Sequence, residues 1–123
     1  MKSRTSLAVG ATAIILSVVP LAVTASAAGT CLSGHFCAFS GISYSGTKLL
    51  DSTAPAGTNT VSVADNDVES GRNYTVNRWC AVEAEGWPDH TIFNFAPNSS
   101  ASDMGSAKNK TEHFYVRSGS DGC

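Results

Sequence analysis

An all-β domain, a two-sheet sandwich of two Greek-key motifs, is the fold class that this sequence predicts, and three observations carry it. No window after residue 27 repeats apolar residues at helical spacing for three turns. Short apolar or aromatic runs recur instead at residues 36–39, 48–50, 60–63, 74–82, 91–95 and 113–116. Turn signals separate them: Ser45-Gly46, Pro55-Ala56-Gly57, Ser70-Gly71, Trp87-Pro88-Asp89 and Pro97-Asn98. Thirdly, the chain matches itself. Cys37-Ala38-Phe39, with Tyr44 five positions on, aligns with Cys80-Ala81-Val82, with Trp87 five positions on, at an offset of 43. Residues 67–75 align with residues 103–111 at an offset of 36, with Asp, Ser, Asn and Thr identical at four of nine positions. Units of about 31–76 and 77–118 are each too small to bury a core alone, so the two are expected to pack face to face, with about four short strands in each.

The 123 residues, 42% hydrophobic and 15% charged, fit one small domain. Much of the apolar content lies at the start. Lys2 and Arg4 precede an uncharged run over residues 7–23, and Ala25-Ser26-Ala27 then offers the small residues a signal peptidase reads. With Gly10 and Pro20 inside it, that run is marginal for a spanning helix, so residues 1–27 are read as a cleaved signal peptide and residues 28–123 as one secreted domain. Losing Lys2 and Arg4 leaves six basic residues against ten acidic ones, a net charge of −4. Without basic clusters, neither nucleic acid nor, after cleavage, a membrane is an expected partner, and a monomer is expected.

All four cysteines, Cys31, Cys37, Cys80 and Cys123, lie in the expected mature chain, which in an exported protein reads as two disulfides with three possible pairings. The expected pair is Cys31 with Cys37, a local loop across a turn containing Gly34, and Cys80 with Cys123, tying the end of the chain to a central strand.

Residues 39–46 combine Phe39, an aromatic Tyr44 five later and Gly46 two after that. This reads as a folded hairpin in which glycine takes a positive φ and the aromatics cover the turn. The stretch resembles the signature of βγ-crystallin domains. Together with the Cys31-x-x-Gly34-x-x-Cys37 opening, the 67–73 segment and Trp79-Cys80, it is similar to peptidase inhibitor family 36. These are exported actinobacterial proteins of βγ-crystallin-like fold, typified by a Streptomyces metalloproteinase inhibitor. The resemblance covers nearly all of residues 31–116. It implies a non-enzymatic inhibitor, with no catalytic residue and no required cofactor, that occupies the cleft of an extracellular protease, a metalloproteinase above all. Carried over from the family's loop position, the protease-binding segment would be Cys80, Ala81, Val82, Glu83, Ala84 and Glu85. Here the chain departs from the pattern: no second cysteine closes a tight loop after Cys80. A killer-toxin-like or cell-surface-binding βγ-crystallin protein without a protease target is the alternative reading.

Calcium is the one metal the resemblance suggests, through Asp67 and Ser70 in one copy and Asp103 and Ser106 in the other. A terminal Ser of the pattern is replaced by Gly71 and Ala107, so these side chains are read chiefly as turn caps. His35, His90 and His113 show no zinc-ligand spacing. Glu83 and Glu85 share one face of a strand-like segment without the look of an acid–base pair, and no Gly-x-Ser-x-Gly turn is present. Sequons begin at Asn73, Asn98 and Asn109 and are placed on exposed loops. Trp79 is assigned to the core, and Trp87 to a turn where it covers the hairpin or meets a partner.

Overall fold

The computed structural model describes residues 29–64, 66–85 and 88–123. The expected signal peptide, residues 1–27, and the roles considered for Trp87 lie outside the described residues.

Eight strands are present among the described residues: β1 Phe36–Phe39, β2 Lys48–Ser52, β3 Val61–Ser62, β4 Ser70–Asn73, β5 Arg78–Glu83, β6 His90–Phe95, β7 Ser99–Ala101 and β8 His113–Arg117. Two short 3-10 turns, Ile42–Tyr44 and Gly105–Ala107, complete the regular structure. The strands form two antiparallel four-stranded sheets, ordered β2-β1-β4-β7 and β3-β8-β5-β6. β3 pairs with β8 and β7 with β4, so the first and second halves of the chain each lend one strand to the other's sheet. No helix among the described residues is long and apolar enough to cross a membrane.

Strands β1, β2, β3, β5, β6 and β8 grow from the apolar runs, because alternate side chains there reach the space between the sheets. β4 and β7, built of Ser-Gly-Arg-Asn and Ser-Ser-Ala, do not. Their smallness is a packing requirement. A Cβ on Gly71 would sit 2.8 Å from two ring carbons of Phe95, so β4 makes room for an aromatic of the facing sheet. β5 begins only at Arg78, because residues 74–77 form the connection from β4.

The core is aromatic. Phe36 stacks on Trp79 and meets Phe95 and Phe114 edge-on at 5.1 and 4.9 Å. Trp79 is fully buried, as expected, and its indole N–H donates to Thr75 Oγ1 at 3.3 Å. The hairpin after β1 is also as expected: Gly46 has φ +73°, and Tyr44 packs edge-on against Phe39 while the Arg72 guanidinium lies 3.7 Å from its ring centroid.

One sequon corrects its expectation. Asn73 is fully buried in β4, where its amide donates to the carbonyls of Asn77, Phe95 and Ala96 at 2.8, 3.1 and 2.8 Å. Its Oδ1 accepts from the N–H and hydroxyl of Thr75. The Asn-x-Thr pattern here knots the β4–β5 connection, because a buried amide must satisfy all its polar atoms. Asn98 and Asn109 are exposed.

Disulfides join Cys31 to Cys37 and Cys80 to Cys123, the expected pairs, across sequence separations of 6 and 43.

Candidate functional site

The segment expected to meet a protease occupies β5 and its end. β5 lies between β8 and β6, and Cys80, Ala81 and Val82 are 0, 0 and 2% exposed. A strand hydrogen-bonded on both edges and covered on both faces leaves these three side chains almost no exposed surface. Glu83 and Ala84 are half-buried and Glu85 is exposed, followed by exposed Pro88 and Asp89 before β6. The sulfur of Cys80 is engaged by Cys123, so no disulfide stiffens the β5–β6 connection.

A different segment is locally closed. The Cys31–Cys37 bridge encloses Leu32, Ser33, Gly34, His35 and Phe36. Within it the His35 N–H donates to the Leu32 carbonyl at 3.1 Å, a turn that Gly34 permits with φ +78°. The loop is sewn to the β4–β5 connection by Gly34 N–H to Tyr74 C=O at 3.0 Å and Tyr74 N–H to His35 C=O at 2.9 Å. His35 Nδ1 also meets the Asp51 carboxylate, whose other oxygen accepts from Lys48 Nζ at 2.9 Å. Hydrogen bonds from Lys48 and then His35 hold Asp51 below the usual carboxylate pKa. At the surface of this assembly Leu32 is 64% exposed and Val76 75% exposed.

Beside them opens a pocket of about 410 Å³, within the range of small-molecule sites. Ser33, Gly34, Tyr74, Val76, Asn77 and Asn98 are among its lining, which holds hydroxyls, amides and one phenol but no charged side chain. Neither this pocket nor the exposure of Leu32 and Val76 was foreseen from sequence. The available signal was a large aliphatic residue at Leu32, flanked by a cysteine and small polar residues.

The residues considered for calcium are otherwise occupied in part. Ser70 is buried, donating to the Gly41 carbonyl at 2.5 Å and accepting from the Tyr44 N–H at 3.1 Å. Asp103 accepts from the Gly105 N–H at 2.7 Å and pairs with Lys108; the Gly105 bond is the first cause of its lowered pKa. Asp67 and Ser106 are exposed. No group of three or more His, Cys, Asp or Glu that would hold a metal ion occurs among the described residues.

No curated protein and no solved structure matches the chain. The model of peptidase inhibitor family I36 matches residues 24–93, a stretch running from before the Cys31–Cys37 loop to within β6. That match takes in more than half of the chain and both cysteine strands, β1 and β5, and on it the protein belongs to peptidase inhibitor family I36.

Proposed function

We propose that the protein acts outside the cell, as a monomer, by inhibiting a metalloproteinase, filling the protease cleft with a segment ordered before binding. Family membership carries the inhibitor class, and with it a protein that binds proteases and catalyses nothing. Two disulfides in 123 residues support an extracellular setting. The frame suits the task, because a loop already immobilised by a bridge and by backbone hydrogen bonds loses little further entropy on association. The test is residual activity of metallo-, serine and cysteine proteases incubated with the disulfide-intact protein. Competitive inhibition of a metalloproteinase is expected, and no inhibition across the panel would overturn the reading.

One observation favours a second reading, recognition of a neutral saccharide on a cell surface. The 410 Å³ pocket presents hydroxyl and amide groups beside the Tyr74 ring without a charged side chain. Binding of the protein to neutral glycans, retained when no protease is inhibited, would favour this second reading.

A further inference from the structure

We propose that Leu32, held in the Cys31–Cys37 loop, is the anchor of the inhibitor: it enters an apolar specificity subsite of the protease, with Val76 at the rim of the contact. The proposal rests on the inhibitor reading above. A large aliphatic side chain left 64% exposed at the head of a loop clamped by a disulfide and three backbone hydrogen bonds is pre-organised for insertion. The hydrophobic effect favours its burial, and the backbone carrying it has little freedom left to lose. Val76, 75% exposed, lines the same pocket as Ser33 and Gly34, the two residues that follow Leu32 in the closed loop. An apolar side chain at the centre of a polar surround is the pattern of an interface hot spot and its water-excluding rim.

The geometry also separates this contact from the one expected at residues 83–85. The Cys31–Cys37 loop is bonded to Tyr74, which precedes β5, whereas Glu83 ends that strand and Ala84 and Glu85 follow it. The six residues of β5 span roughly 17 Å from one end of the strand to the other. Substitutions at the two ends therefore report on different contacts.

The experiment measures the inhibition constant of the full, disulfide-intact protein against a metalloproteinase that cleaves beside leucine and that the protease panel shows to be inhibited. Leu32→Asp is expected to weaken inhibition by roughly 30-fold or more and Leu32→Ala by about 10-fold, while Leu32→Met stays within about 3-fold. The variant Lys110→Gln, at an exposed residue between the second 3-10 turn and β8, is expected to inhibit like the parent. Folding of each variant is checked by melting temperature, and Leu32→Ala decides the matter should the aspartate variant not fold. A folded Leu32→Ala protein that inhibits as well as the parent overturns the anchor and leaves the inhibitor reading standing. A parent protein that inhibits no protease overturns both.

Discussion

Phe36 of β1 and Trp79 of β5 stack face to face between the two sheets, with ring centroids 4.4 Å apart and planes 9° from parallel. Each is the residue just before a strand cysteine, Cys37 or Cys80, and the two strands belong to different sheets. The stack is therefore the point at which the two halves of the chain are pressed together, and Phe95 and Phe114 close around it. Removing either ring empties the centre of a small core whose surroundings are held by paired strands. Trp79→Ala or Phe36→Ala is expected to destabilise the fold by about 3–5 kcal/mol, measured by denaturant unfolding. A loss under about 1 kcal/mol would mean that the sheets pack around another centre.

Asn73 offers a polar counterpart. Asn73→Ala strips partners from three carbonyls and from Thr75, and a loss above about 3 kcal/mol is expected. Asn73→Asp should be equally harmful at neutral pH, since a carboxylate cannot donate to those carbonyls, and should recover in part where the acid is protonated. Equal stability of Asn73→Asp and the parent at pH 7 would contradict this account.

The two disulfides should differ in weight. By loop-closure entropy the Cys80–Cys123 bridge, spanning 43 residues, contributes about 4 kcal/mol and the 6-residue Cys31–Cys37 bridge about 2 kcal/mol. Replacing each pair by serine and comparing unfolding midpoints tests the order. The shorter bridge should matter more for inhibition than for stability, since it holds the Leu32 loop.

Asp51 sets an acid-side dependence. Its folded-state pKa lies below the ordinary carboxylate value, through Lys48 first and His35 second. Its contribution is therefore fully present above the unfolded pKa and is lost as pH falls through the folded value. The pair is exposed, so the effect is no more than about 1 kcal/mol. Asp51→Asn should lower the melting temperature slightly at pH 7 and not at pH 2; a difference that persists at pH 2 would assign the loss to something other than ionisation.

Calcium is expected to leave the melting temperature almost unchanged between millimolar calcium and chelator. The Ser70 hydroxyl and Asp103 Oδ1 already serve backbone groups, and a ligand stabilises only as the logarithm of its occupancy. An upward shift in calcium that Asp67→Ala abolishes would establish a site.

Much of this fold is written in local pattern. The apolar runs at residues 36–39, 91–95 and 113–116 reappear as β1, β6 and β8 almost residue for residue, because a half-buried strand needs alternating or continuous apolar side chains wherever it occurs. The Phe39, Tyr44 and Gly46 hairpin was equally legible, since a positive φ and two covering rings are local requirements. Residue type and an exported setting left three pairings open, and the fold holds the expected one.

β4, β7 and the surface were decided elsewhere. Ser70 and Gly71 read as a turn because their residue types favour one, yet hydrogen bonds from β1 and β7 and the ring of Phe95 across the sandwich hold them extended. Asn73 reads as a surface sequon until the carbonyls that need its amide are brought around it by residues up to 23 positions away. The same holds for function. The sequence determined an all-β chain with two bridges and the marks of an inhibitor family, since these depend on residue type and spacing. Only the tertiary structure decided that Ala81 and Val82 are interior and that Leu32 and Val76 stand in solvent, because exposure belongs to the packing of both sheets and to no single stretch of chain.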